Sequence, residues 1–154
     1  MISDINRYII RVYALIFNSN KDVLISDEYQ LDMRMTKFPG GGMEFGEGPV
    51  DCLKREAVEE FGQKIKVLDH FYTTDYFQPT QFFPDAQLIS IYYFAEFISP
   101  IQFKISNNPF NFEVERNGSQ SFRWKNLSQL QPNDMTFPVD KKVVQLLKER
   151  YGND

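Results

Sequence analysis

Residues 41–63 read Gly41-Gly42-Met43-Glu44-Phe45-Gly46-Glu47-Gly48-Pro49-Val50-Asp51-Cys52-Leu53-Lys54-Arg55-Glu56-Ala57-Val58-Glu59-Glu60-Phe61-Gly62-Gln63. A glycine-rich loop runs here into a segment with helical periodicity. Pro49 suits a first helical position, where its missing N–H is an orphan anyway, and Gly62 suits the residue just past the end, where the backbone turns left-handed. At 100° per residue Val50, Leu53, Ala57 and Phe61 share a stripe, which predicts packing on a sheet. Glu56, Glu59 and Glu60 lie beside that stripe at i, i+3 and i+4. Like charges so spaced destabilise a helix by roughly 0.2–0.5 kcal/mol per pair. A divalent cation would reverse the sign, because hard cations such as Mg²⁺ are held by a few carboxylates together with substrate phosphates. For an arbitrary Glu-x-x-Glu-Glu the plain alternative is a solvated acidic face, since surface helices are rich in glutamate.

The residues around the triad decide between the two. The whole string resembles the Nudix box, GX5EX7REUXEEXGU with U a bulky aliphatic residue: Gly41, Glu47, Arg55, Glu56, Glu59, Glu60 and Gly62 all fall in register. With residue frequencies of roughly 5–7%, such agreement arises by chance in about one sequence in a million. Ala57 is smaller than the pattern asks. Gln63 stands where an aliphatic residue is expected, so packing beneath the following loop must differ.

The resemblance implies an α/β fold, an α/β/α sandwich around a mixed β-sheet, over a single domain spanning residues 1–154. It implies a Mg²⁺-dependent pyrophosphohydrolase, with Mn²⁺ as a substitute ion. The substrate would be a nucleoside diphosphate linked to another moiety, as in a nucleotide sugar, a nucleoside triphosphate or a dinucleotide. By the same resemblance Glu56, Glu59 and Glu60 are the metal ligands, helped by the Gly40 carbonyl, while Arg55 pairs with Glu47 and orients Glu56. Glu59, Glu60, Arg55 and Glu47 then form the catalytic set together with a general base outside the box. Glu115 is the first candidate for that base, Glu113 and Glu96 follow, and a box glutamate is the alternative. A catalytically silent nucleotide-binding or regulatory module on the same fold is the competing reading; the intact carboxylates favour an enzyme.

Outward from the box, Tyr8 to Phe17 is rich in β-branched and aromatic residues and predicts a strand, interrupted by Arg11. Asn18 to Asp22 has turn chemistry and Val23 to Ser26 resumes the apolar run, a hairpin signal. Pro39-Gly40-Gly41-Gly42 predicts loop. Strands are expected at Ile65 to Tyr72, Gln87 to Phe97 and Gln120 to Trp124, and a helix at Val139 to Tyr151. Apolar residues on both faces of 87–97 mark it as a central strand. The stretches Thr74 to Ala86 and Ser106 to Ser119 are long connections, a length typical of binding loops.

The chain has 154 residues and a formal net charge of −4, so a nucleic-acid groove or an anionic membrane is not the expected partner. A small-molecule nucleotide is, with a homodimer left open. Cys52 is the single cysteine, which excludes an intrachain disulfide and CxxC metal sites. The first apolar run lacks a signal-peptide cleavage site, and no segment has the length of a membrane span, which leads to a cytoplasmic expectation. Cys52 is expected on the polar side of the box helix. Tyr72, Tyr76, Phe77, Phe82 and Phe83 gather in and before the first long connection, where stacking on a nucleobase competes with core packing. His70, the lone histidine, is read as structural.

Overall fold

Prolines and glycines bound both helices and the shortest strand in the computed structural model, which describes residues 4–152. In chain order these are β1 (Arg7–Ile16), β2 (Asp22–Gln30), β3 (Met33–Lys37), β4 (Gly40–Gly42), α1 (Pro49–Phe61), β5 (Ile65–Thr73), β6 (Ala86–Phe97), β7 (Gln120–Asn126) and α2 (Pro138–Tyr151). One sheet has the order β4-β1-β6-β5 and the other β3-β2-β7. The pairs β1–β4, β5–β6, β2–β3 and β2–β7 are antiparallel, and a parallel bridge joins Ile105 to Phe122. The pairing is therefore mixed, and the fold class is α/β as expected. β6 sits inside its sheet between β1 and β5, the central position inferred from its two apolar faces.

The described chain groups into two compact units, each assembled from separated segments. The first takes residues up to Ala14 and Gly40–Pro100, and the second takes Leu15–Pro39 and everything from Ile101. In the first, α1 buries Leu53, Ala57 and Phe61, and the sheet buries Val12, Tyr13, Ile65, Tyr92 and Ala95. Phe61 meets the ring of Phe97 edge-on at 5.1 Å, a contact worth about 0.5–1.5 kcal/mol beyond its burial. In the second, β2 contributes Val23, Leu24 and Ile25 to a core completed by Leu127, Leu130 and the Val139, Val143, Val144 and Leu147 face of α2.

Two expectations need correction, and one hairpin was not anticipated. The turn after β1 is real: Asn18 Oδ1 accepts the N–H groups of Asn20 at 2.9 Å and Asp22 at 3.0 Å. Yet β1 and β2 enter different sheets, so the turn closes no hairpin and a single bridge, Phe17 to Val23, marks it. The hairpin that does form is β2–β3, closed by Leu31 (φ 51°) and Asp32 (φ 59°). A two-residue turn with both φ positive is the favoured hairpin geometry, but Leu-Asp lacks the Asn-Gly signature that would announce it. Finally, Gly40–Gly42 is a strand and not a loop, pairing Gly40, Gly41 and Gly42 with Tyr13, Val12 and Arg11. Glycine is required there for closeness: a Cβ on Gly40 would collide with the Val12 carbonyl, and one on Gly41 with the Glu56 carboxylate.

Candidate active site

The box helix starts as its sequence dictates. Gly48 precedes Pro49, and the Gly48 N–H donates to Asp51 Oδ2 at 2.9 Å, satisfying an orphan group of the first turn. At the far end Gly62 adopts φ 67° and its N–H closes on Val58 O at 3.0 Å. Of the predicted stripe, Leu53, Ala57 and Phe61 are buried while Val50 is 37% exposed. Cys52 takes the remaining inner position and is fully buried, against the polar-side expectation. Its Sγ lies 3.8 Å from Gly41 O; α1 approaches a strand that has no side chains, and this draws an off-stripe residue into the interior.

Arg55 is the centre of the site. Its Nε and Nη2 grip both oxygens of Glu47, at 3.0 and 2.7 Å, in the bidentate geometry that matches guanidinium to carboxylate. Nη2 also donates to Gly42 O at 3.0 Å, which ties α1 to β4. Nη1 reaches Glu56 Oε1 at 3.1 Å and Glu59 Oε2 at 3.2 Å. Glu44 adds its carboxylate 3.8 Å from Nε, and its N–H donates to Glu47 Oε1 at 2.8 Å. One cation thus meets four carboxylates, and the local charge stays negative. The sequence pairs Arg55 with Glu47 and Glu56, and both contacts are present. The shares of Glu44 and the Gly42 carbonyl were not foreseen, although the three-residue step from Glu44 to Glu47 could have suggested the first.

Electrostatics follow from these contacts. Hydrogen bonds from Arg55, and then from the Glu44 backbone, lower the Glu47 carboxyl to about 2. Burial pushes the Glu56 carboxyl above its usual range, opposed by the hydrogen bond and charge of Arg55. Burial, reinforced by the Glu47 charge, raises the Cys52 thiol to about 12. Arg55 is held firmly protonated, first of all by its hydrogen bond to Glu47.

The donor chemistry suits a hard divalent cation. Glu56 and Glu59 present oxygens to one point, now held by Arg55 Nη1, and a buried oxygen of Glu60 lies on the same helix. The glycine backbone admits the Glu56 carboxylate where a side chain would exclude it. Among the described residues no group of three or more His, Cys, Asp or Glu has the arrangement of a formed metal site. Carboxylates of the right kind are present, in an arrangement organised by Arg55.

The remaining candidates fall elsewhere. Glu96 lies on β6, opposite Lys66 of β5, with its side chain exposed. Glu113 and Glu115 belong to the second unit, where Glu115 is ion-paired with Arg34 Nε and Arg34 lies 5.1 Å over the Phe110 ring. Tyr76, Phe77, Phe82 and Phe83 are 39–47% exposed, so core packing does not account for them. Tyr72 is half-buried and donates to Asp75 Oδ1 at 2.8 Å. His70 is exposed, bonds Thr73 Oγ1 at 2.7 Å and meets Tyr93 edge-on. Gln63 is buried and donates to Pro100 O at 2.8 Å and Ser99 Oγ at 3.1 Å, which is how a polar residue replaces the aliphatic one.

A second arginine–carboxylate centre occupies the other unit. Asp27 on β2 is fully buried; Arg123 Nε donates to its Oδ2 at 2.6 Å and Nη2 to its Oδ1 at 3.2 Å. Thr36 Oγ1 at 2.8 Å and the Phe110 N–H at 3.2 Å complete the shell, the latter anchoring the connection between β6 and β7. Sequence reading gave no sign of it, since Asp27 and Arg123 are 96 positions apart.

With this geometry in hand, comparisons with known proteins are specific. The sequence model of the NUDIX domain matches residues 7–147. Among solved structures, the E. coli ORF135 protein superposes with TM-score 0.65 at 18% identity, covering 96% of this chain and 96% of that one. The MutT protein of Methanosarcina mazei Go1 gives TM-score 0.65 at 18% identity over 97% of this chain and 98% of its own. A UDP-X diphosphatase gives 0.61 at 17% identity over 93% of this chain and 64% of its own. At these identities the structural likeness speaks for the fold.

Proposed function

Because the chain belongs to the Nudix family, whose hydrolases act on phosphoanhydrides, we propose that it is a Mg²⁺-dependent pyrophosphohydrolase. It cleaves a phosphoanhydride bond in a nucleoside diphosphate linked to another moiety: a sugar, a further phosphate or a second nucleoside. The observation that carries this reading is the Arg55 centre, where one guanidinium orients Glu47, Glu56 and Glu59 and leaves negative charge in excess. The family match runs across both compact units, which supports reading them as one Nudix domain.

Hydrolysis of an anhydride needs neutralised phosphoryl oxygens, an oriented water and a stabilised leaving group. Glu56, Glu59 and Glu60, with the Gly40 carbonyl, would hold the ion. When bound, it supplies Lewis-acid polarisation and a lowered pKa for water. The chain's own residues do the rest. Arg55 fixes the Glu56 carboxylate through Nη1, and Glu47 fixes Arg55 through both of its oxygens; such outer contacts tune a metal site by about 10–100-fold. Glu59 has a side chain 58% exposed and is open to a water. Glu115 remains the proposed general base outside the box; in the structure it is ion-paired with Arg34.

A panel of nucleoside diphosphate sugars, nucleoside triphosphates and dinucleoside polyphosphates, assayed for phosphate-containing products with Mg²⁺ and again with a chelator, tests the proposal. Chelator-sensitive turnover of at least one class is expected. Tight binding of panel members without any turnover would overturn it in favour of a nucleotide-binding module.

A further inference from the structure

Arg11 interrupts an otherwise apolar strand, and the site described above leaves it without a role. It is half-buried on β1, directly opposite Gly42 of β4. Its Nε donates to Tyr13 Oη at 2.7 Å, and its guanidinium carbon lies 5.5 Å from the Tyr13 ring centre. Tyr13 is itself fixed, 5% exposed and stacked on the fully buried Tyr92 at 5.2 Å. The guanidinium is thus held by a rigid aromatic support, with Nη1 3.9 Å from the place a Cβ on Gly42 would occupy. The carbonyl of the same Gly42 receives Arg55 Nη2 at 3.0 Å.

A single glycine therefore separates the two arginines. Its strand, β4, is an edge of its sheet and has no side chains to screen one arginine's surroundings from the other's. Arg11 is also close enough for its charge to favour the ionised form of Glu56. Arg55 is committed to four carboxylates, and Arg11 is oriented by its hydrogen bond to the Tyr13 hydroxyl. A planar guanidinium of fixed orientation is the group best suited to bidentate capture of phosphoryl oxygens.

From this juxtaposition we infer that Arg11, oriented by Tyr13 across the side-chain-free β4 edge, binds phosphoryl oxygens of the anhydride substrate beside the box carboxylates. The inference rests on the proposed pyrophosphohydrolase reading and adds a substrate-binding residue to it. A purely structural Arg11 would lay its aliphatic stem on the sheet and keep its charge in water. Methionine retains such a stem, so Arg11→Met separates the two roles.

Calorimetric titration of the full chain with Mg²⁺ and inorganic pyrophosphate, and with Mg²⁺ and ADP, provides the direct readout; thermal unfolding checks each variant's fold. Arg11→Met is expected to weaken both ligands about tenfold or more, in line with the loss of a charged hydrogen bond, and to raise KM more than it lowers kcat. Arg11→Lys should recover part of the affinity, and Tyr13→Phe, which keeps the charge and loses its anchor, should lose less than Arg11→Met. A folded Arg11→Met protein that binds both ligands within twofold of the parent overturns the inference. Should Arg11→Met fail to fold, unchanged affinities in both Arg11→Lys and Tyr13→Phe overturn it instead. Arg11-dependent pyrophosphate binding with no turnover of any anhydride would remove the hydrolase reading and keep Arg11 as an anion-binding residue. Turnover with an Arg11-independent KM would do the reverse, and a parent chain that neither binds nor hydrolyses would remove both.

Discussion

The Arg55 and Asp27 centres use the same chemical pair to opposite ends. At Asp27 one carboxylate meets one arginine, the hydroxyl of Thr36 and a backbone N–H, and nothing charged is left over in a fully buried place. At Arg55 one guanidinium serves Glu44, Glu47, Glu56 and Glu59, and the Glu59 side chain stands in water. A balanced, dry pair is held in place by the penalty for breaking it. An unbalanced, half-open cluster retains the capacity to attract another cation. Surplus charge, more than the presence of an arginine–carboxylate pair, distinguishes the proposed reactive centre from the scaffold one.

The largest test of that contrast is Glu60→Gln. Turnover of the best panel substrate should fall by about a thousandfold, equivalent to roughly 4 kcal/mol, with the thermal transition unmoved; a folded variant with parental kcat breaks the assignment of α1 as the reactive side. Asp27→Ala should do the converse. Loss of one partner of a buried pair costs about 3–5 kcal/mol, read as a shift in the denaturant midpoint, and a stability within 1 kcal/mol or so of the parent would remove the scaffold reading. Arg55→Lys keeps the charge and loses the fork, so kcat/KM should drop about 10–100-fold while the fold persists; an unchanged kcat/KM would show that the fork orients nothing.

The smallest effect concerns acid. The folded Glu47 carboxyl titrates near 2, below its ordinary value of 4.5. Its contribution to stability is therefore fully present above about 4.5 and is lost as the pH falls toward 2. Carboxyl NMR should show Glu47 titrating near 2 and below Glu56, and a midpoint near 4.5 would mean that the Arg55 grip is absent in solution.

The sequence made one side of this contrast readable and left the other hidden. α1 came out at its observed limits because Pro49 and Gly62 act locally at its ends. The grouping of Arg55 with Glu47 and Glu56 came from the resemblance to the Nudix box, and both contacts are present in the structure. Asp27 and Arg123 meet only through the register of β2 with β7, which no local pattern encodes. β4 was misread for a different reason: three glycines look like loop, yet closeness to β1 and α1 is what requires them. The same closeness buried Cys52, and a helical-wheel argument that ignores the neighbour's lack of side chains places that residue on the wrong side.

That buried thiol has a practical consequence. Cys52 is the sole cysteine, fully covered, and raised to about 12, so at neutral pH it is protected both sterically and chemically. Modification by a thiol reagent requires α1 to part from β4, and the labelling rate then counts those openings. The native chain thus carries a reporter of its own breathing. Slower labelling in the presence of Mg²⁺ or nucleotide would measure, without any catalytic assay, how strongly a ligand clamps the box helix to the glycine strand.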